Sequence, residues 1–335
     1  MSLYKQSLYR LKLIGAWFLR RLAVYNQGDK PNILLFSSRR SGSTHLAEMI
    51  SIDTGVWFVN EPCAIRYPNT PKGQLTSSLL PSVTCCQFVR ATEQVEQSLK
   101  HLLTEVQDAN YRQLGRLRRP RYGLFADRTL IKMVNATPLL PWASEEFSAQ
   151  VVHLVRHPGA QAQSLLRNNW PITTQAFIED EVFLEQYFTR EQVNRALEVH
   201  RSGSKWEQAI LNWILDNVPS LRNAPTQTFR VTYEELTLSP RAVVPVIAER
   251  LDLRSVDRML CHTGRPSSSS KFSRNASREA IRTGDTSHLV TKWVDKMSSE
   301  EKSQAQHLLE FFEIHEYSMH ATMPHNSLLI VSTGM

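Results

Sequence analysis

The stretch Ile33–Met49, ILLFSSRRSGSTHLAEM, restricts the fold more than any other part of the chain. Four apolar residues, Ile33-Leu34-Leu35-Phe36, stop at the polar run Ser37-Ser38-Arg39-Arg40-Ser41-Gly42-Ser43-Thr44. Leu46, Met49 and Ile50 then recur at helical spacing. Buried strand, tight polar loop and helix, in that order, are the layout of a phosphate-binding loop. Gly42 has no Cβ, so the backbone can curl there and turn successive N–H groups onto an anion. The helix that begins near Ser43 adds unpaired N–H donors and the positive end of its dipole. The hydroxyls of Ser41, Ser43 and Thr44 can donate further bonds, and Arg39 and Arg40 supply charge. A Walker loop reads G-x-x-x-x-G-K-[ST]; here Ser37 or Ser38 replaces the first glycine and Arg40 the lysine. Taken alone, the stretch fits an anion site and a serine-rich helix cap equally well.

A second unit repeats the layout. Val151-Val152-His153-Leu154-Val155 is a nearly continuous apolar strand of the parallel-sheet kind. It runs into Arg156-His157-Pro158-Gly159-Ala160 and a helix from about Gln161 to Arg167 that carries Ser164. Val56–Val59 reads as a strand closed by Asn60-Glu61-Pro62, with Pro62 pushing Glu61 into an extended conformation. Glu61 then stands at the strand edge where open parallel sheets bind ligands. Leu130–Val134 is a further buried strand with Lys132 as an unexpected charge inside it. Thr92–Tyr111, residues 173–217, Pro240–Leu251 and Ser298–Phe312 read as helices, and Gln227–Thr232 as a strand. The fold expected is therefore α/β, a P-loop-like open parallel sheet flanked by helices in one domain over residues 31–317. Residues 67–90 look like a long excursion and 263–285 like a mobile loop whose Arg274, Arg278 and Arg282 can meet phosphate. The run Arg112, Arg116, Arg118, Arg119, Arg121 is a solvated face or a contact for an acidic acceptor. The tail 318–335 is uninformative.

Composition narrows the partner. The chain has 335 residues, 41% hydrophobic and 21% charged, which excludes a disordered protein. Its net charge of +7 favours an anion: a nucleotide, an acidic substrate, a membrane surface or a nucleic acid. The basic residues are spread along the chain with no nucleic-acid module, so nucleic acid is set aside. Cys63, Cys85, Cys86 and Cys261 form no C-x-x-C pair and no zinc spacing, which reads as free, mostly buried thiols and no metal. Residues 1–30 read as a basic amphipathic helix, with Leu8, Leu11 and Phe18 on one face and Lys5, Arg10 and Arg20 between. Its apolar run Leu13–Leu19 is too short to span a bilayer and lacks a signal cleavage site. That helix either docks on the domain or lies, through residues 1–28, on an anionic membrane. The chain is accordingly read as cytoplasmic, with the inner membrane face as the surface it would meet.

With these motifs in place, the chain resembles the PAPS-dependent sulfotransferases (PAPS, 3′-phosphoadenosine 5′-phosphosulfate), and their carbohydrate and bacterial branch more than the small-phenol branch. R-S-G-S-T at 40–44 matches that family's loop for the 5′-phosphosulfate. V-V-H-L-V-R-H-P-G-A-Q-A-Q-S at 151–164 matches the signature in which an arginine and a serine hold the 3′-phosphate. V-N-E-P at 59–62, F-R-V-T-Y-E-E-L at 229–236 and I-R-T-G-D-T-S-H-L-V-T-K-W at 281–293 are similar to later family segments. Departures are His157, where the family usually has Asp or Asn, and Gly159, where it often has Arg or Lys. The K-T-H segment of the small-phenol branch is missing, since Met133-Val134 follow Lys132.

The resemblance implies that Arg39, Arg40, Ser41, Gly42, Ser43 and Thr44 bind the 5′ end of PAPS and Arg156 and Ser164 its 3′-phosphate. Arg282 and Gly284 belong to a loop over the nucleotide. Glu61 is then the expected general base, Arg40 neutralises growing charge, and Lys132 orients the sulfonate. His45, His153 and His157 are rival bases, His45 the foremost. The expected acceptor is a hydroxyl of a sugar, or of a glycolipid or lipid-like alcohol, with PAP as product and no metal. The rivals are a divergent P-loop kinase or NTPase and a non-catalytic nucleotide- or membrane-binding relative.

Overall fold

In the computed structural model, residues 24–25, 28–62, 87–107, 125–226, 228–269 and 275–326 are described. The N-terminal helix through residue 23, most of the 67–90 excursion, the 112–121 arginine run, Arg274 and the end of the tail lie outside the described residues.

Among the described residues, six parallel strands form one sheet: β1 (Val24–Tyr25), β2 (Asn32–Ser37), β3 (Gly55–Asn60), β4 (Phe125–Val134), β5 (Ala149–Val155) and β6 (Phe229–Thr232). The main order is β3-β4-β2-β5-β6, with β1 beside the start of β4. Strand β2 is central, and Ile33, Leu34, Leu35 and Phe36 are all fully buried. Its unbroken apolar run is what a strand covered on both faces requires, because alternate side chains enter opposite layers. Ile33 and Leu35 join Leu46, Val231 and Ile247 on one face. Leu34 and Phe36 join Leu99, Ile131 and Met133 on the other. Burial of each such side chain contributes roughly 1.5–3 kcal/mol. A third core surrounds the helix Lys205–Asn223, whose Trp213 packs among Phe177, Phe183 and Tyr317.

Register sets the site. Asn60 lies opposite Lys132, Ser37 opposite Leu154 and Val134, and Val155 opposite Thr232. Strands β3, β2, β5 and β6 therefore end at one edge, and the residues that follow them are Glu61, the Ser38–Gly42 loop, Arg156 and Tyr233. Helix α1 (Ser43–Ile50) leaves the loop, and helix α2 (Pro158–Arg167) leaves the second turn.

Several elements differ from expectation. Val24–Tyr25, inside the expected N-terminal helix, is a strand paired with Phe125–Ala126. Helix α2 begins at Pro158 rather than near Gln161, because Pro158 is preorganised for the first helical turn and the His157 ring accepts Gly159 N–H as its cap. Part of the expected loop at 263–285 is helix α3 (Asn275–Thr283), followed by the short helix α4 (Ser287–Thr291). The final described helix, α5 (Ser299–Phe311), opens with a capping box between Ser298 and Glu301. The start of the tail is core: Ser318 and Met319 are buried, next to the buried Tyr317 that ends the expected domain. Cys261 is exposed rather than buried, and the other three cysteines lie outside the described residues. No helix among the described residues is long and apolar enough to cross a membrane.

Candidate active site

The loop between β2 and α1 is built on two left-handed residues, Arg40 (φ 69°) and Gly42 (φ 93°). Gly42 is obligatory twice over. Its φ disfavours any Cβ, and an added Cβ would stand 2.6 Å from the Tyr233 ring. No side chain caps the N-terminus of α1 and no acid lies in its first turn, so the positive end of its dipole is not neutralised there. The Ser41 hydroxyl donates to Ser38 C=O at 2.7 Å and braces the turn.

Three parts of the site converge on this loop. Arg40 Nε donates to Ser164 Oγ at 3.0 Å, and the Arg40 guanidinium covers Trp170 at 5.1 Å. Partial burial, then the positive charges of Arg156 and Arg167, bring the Arg40 pKa down to about 10. Arg156 donates to Arg40 C=O at 2.8 Å and stacks on the Tyr233 ring at 4.1 Å. Its Nε is buried with no hydrogen-bond partner among the described residues. On the far side, Lys132 Nζ lies 2.8 Å from Glu61 Oε1 and donates to Thr44 Oγ1 at 2.9 Å. Lys132 is 2% exposed and Glu61 23%, so a buried ammonium is matched to a carboxylate that reaches solvent.

Glu61 is not extended: its φ is +50°. Its N–H donates to Lys132 C=O at 2.8 Å, and this bond with the ion pair holds a left-handed residue before proline, against local preference. Strain of this kind gathers where surrounding structure must aim a side chain.

The remaining expected residues part company. Arg39 is 4% exposed and points inward, where Nη2 donates to Thr173 Oγ1 at 3.2 Å near buried Asp216. His45 stacks on His262, 5.4 Å between ring centres, and desolvation lowers its pKa. His153 and His157 are fully buried, with pKa lowered to about 3 and about 4 by desolvation. Arg282 is exposed and pairs with Glu279 in its own helix, and Gly284 follows the helix end at φ 79°. No described contact joins either to the loop. Ser43 begins α1 and is buried beside Thr44.

Both departures from the family pattern have a packing reason. A Cβ at Gly159 would lie 2.7 Å from Trp293 and 2.9 Å from Met319. The His157 ring stacks on Trp293 at 4.4 Å and its Nε2 meets Ser318 C=O at 3.1 Å. Tyr233, Trp170 and Glu234 were missed as site residues by sequence reasoning. Tyr233 and Glu234 sit directly after β6, and the signal was that strand's end at the ligand edge.

A parallel α/β sheet with an arginine-lined, glycine-turned loop at its C-terminal edge puts these side chains where open α/β sheets bind their ligands. A sulfotransferase family profile matches residues 31–258, more than half of the chain, and the chain belongs to that family. Among solved structures it is similar to the sulfotransferase domain of the curacin biosynthetic pathway, at 17% identity, 85% of this chain, 98% of that one and TM-score 0.41. The sulfotransferase domain of the Synechococcus PCC 7002 olefin synthase is similar at 18% identity, 87% and 98% coverage and TM-score 0.43. Mouse sulfotransferase SULT7A1 complexed with PAP is similar at 16% identity, 86% of each chain and TM-score 0.42. No curated protein sequence matches the chain.

Proposed function

We propose that this chain transfers the sulfuryl group of PAPS to a hydroxyl of a sugar or glycolipid acceptor, with Glu61 as general base. The observation that carries the reading is the convergence of Arg40, Ser164 and Arg156 on one side of the loop and of Thr44, Lys132 and Glu61 on the other. PAPS supplies an activated sulfuryl group on a phosphate leaving group. The residues fit a nucleotide with phosphate at both ends: the uncapped α1 N-terminus serves one, and the other falls to Ser164 and to Arg156, whose Nε has no hydrogen-bond partner among the described residues.

Arg156 and Ser164 hold the 3′-phosphate, the group that separates PAPS from ATP. Arg40, Ser43, Thr44 and the loop N–H groups bind the 5′ end and take up charge growing on the bridging oxygen. Lys132 orients the sulfonate from beneath Thr44. Glu61 accepts the acceptor hydroxyl's proton as the new O–S bond forms and the old S–O bond to phosphate breaks, leaving PAP. Positioning and electrostatics carry such a loose in-line transfer. Arg39 serves as an internal brace of the loop. The peripheral membrane reading of residues 1–28 is kept as a source of lipid-like acceptors, from their basic amphipathic pattern.

Calorimetric titration with PAP, ADP and ATP–Mg²⁺ tests the reading. Micromolar PAP binding, much tighter than the other two, is expected. Binding of ATP–Mg²⁺ alone moves the chain to a divergent P-loop kinase, and no binding of any of them to a non-catalytic relative.

A further inference from the structure

We infer that Glu234 is a positioning residue for the 3′-phosphate half of the site, one that takes up a proton when a phosphate settles against Arg156. The inference rests on the reading of Arg156 as the 3′-phosphate ligand.

Glu234 is fully buried, one residue beyond the Tyr233 ring on which Arg156 stacks. Its Oε1 accepts His157 N–H at 3.0 Å, so it fixes the turn that aims Arg156. Its Oε2 accepts the Tyr317 hydroxyl at 3.4 Å, and Tyr317 is itself buried edge-on to His157 and Trp213. Trp213 Nε1 closes the ring of contacts by donating to Arg156 C=O at 2.8 Å. The carboxyl thus ties together the turn after β5, the start of the helix after β6 and the chain segment after α5.

The charges around it are few. The turn after β5 contributes Arg156 and His157, its own helix Tyr233 and Glu235, and the C-terminal segment Glu316 and Tyr317. His157 accepts Gly159 N–H on Nδ1 and faces the Ser318 carbonyl with Nε2, which selects the neutral Nε2–H tautomer. Arg156 is the cation on this list. Burial raises the Glu234 pKa to about 7, with Arg156 opposing, so the group is divided between its two forms near neutrality. A phosphate on Arg156 would bring a second anion into the field of a guanidinium that already acts on the buried Glu234 carboxyl. Protonation of Glu234 relieves this without breaking its contacts: Oε1 still accepts from His157, and the acid proton can turn to the Tyr317 oxygen.

The test is PAP titration by calorimetry at pH 6, 7 and 8, in buffers of low and high ionisation enthalpy, with wild type, Glu234→Gln, Tyr317→Phe and Arg156→Ala. Glutamine keeps an acceptor for His157 and a donor for Tyr317 but cannot take up a proton. Wild type should take up more protons per PAP bound than Glu234→Gln at pH 7 and 8. Its affinity should fall with pH relative to that variant, tenfold for each pKa unit that binding shifts Glu234. The phosphate's own ionisation is common to both and cancels in the comparison. Equal proton counts and equal pH slopes overturn the inference. Should Glu234→Gln not fold, Tyr317→Phe decides: without the hydroxyl bond that favours the carboxylate, the midpoint of uptake should move to higher pH, and an unmoved midpoint counts against it. If Arg156→Ala binds PAP like wild type, the 3′-phosphate reading itself fails. If only Arg156→Ala weakens binding and the linkage is flat, that reading stands and the role of Glu234 falls.

Discussion

Glu61 and Lys132 are joined twice, side chain to side chain at 2.8 Å and Glu61 N–H to Lys132 C=O at 2.8 Å. The double tie holds the carboxylate at the sheet edge in a backbone conformation that Pro62 alone would oppose. Replacing Glu61 with Gln should preserve the tie through the amide oxygen and remove the proposed base. Sulfuryl transfer from PAPS, measured with an acceptor found by screening sugars and glycolipids, should fall about 10²–10⁴-fold. PAP affinity should stay within about twofold of wild type. Near wild-type turnover by both Glu61→Gln and Glu61→Ala would remove Glu61 from the base role.

The same pair has unequal burial, and stability should register it. Glu61→Ala leaves a 2%-exposed ammonium with Thr44 as its remaining described partner, whereas Lys132→Met leaves a carboxylate that water can reach. Stranding a buried charge costs about 3–5 kcal/mol, so Glu61→Ala should melt well below Lys132→Met. Equal melting temperatures would show that Lys132 finds water or another partner when Glu61 is gone.

At the loop, Gly42→Ala should lower the melting temperature through two separable effects. The left-handed backbone costs about 1–3 kcal/mol with a Cβ present. The methyl must also displace the Tyr233 ring from 2.6 Å. Adding Tyr233→Ala makes room but leaves φ unchanged, so the double variant should regain the room and keep the backbone cost. A double variant that loses as much as the two changes summed would show that the ring is not in the way.

Asp216 gives a stability signature in acid. Burial raises its carboxyl from 3.8 to about 6. Between those values the folded chain holds a proton that the unfolded chain has released, so this group's contribution is most favourable below pH 4. It weakens as pH rises to 6 and is level above. Asp216→Asn lacks the effect and keeps an acceptor for Gln87 Nε2, now 3.1 Å from Oδ1. The melting temperature of the variant minus that of wild type should therefore climb between pH 4 and 6, by the equivalent of on the order of 2 kcal/mol. A flat difference would mean that Asp216 is not held buried in the folded chain.

The parallel sheet and the loop were legible because their signals are local. Ile33–Phe36 is an unbroken apolar run, Gly42 marks the turn, and Val151–Val155 repeats the pattern. Proximity of Glu61 to the loop followed from strand ends sharing an edge. Directions of side chains were not legible. Arg39 and Arg40 are adjacent and identical, yet one enters the core beside Thr173 and the other meets Ser164, because the left-handed φ of Arg40 turns the chain between them. His45 and Thr44 divide in the same way on α1, and only tertiary packing sends Thr44 to Lys132 and His45 to His262. The tail 318–335 is uninformative in the sequence because Met319, like Tyr317 just before it, buries itself against residues more than 80 positions away, a distance no local pattern reports.

That tail has a consequence for how the chain becomes competent. His157 and Ser318 meet across 161 positions, and Glu234 waits on Tyr317 across 83. The early half of the sequence can form its central strands and anion loop from neighbouring segments, but the wall behind Arg156 is supplied by the last described stretch. Loop closure over such separations is slow and comes late. A chain still emerging from the ribosome, or one cut short before Tyr317, would have the loop without that wall.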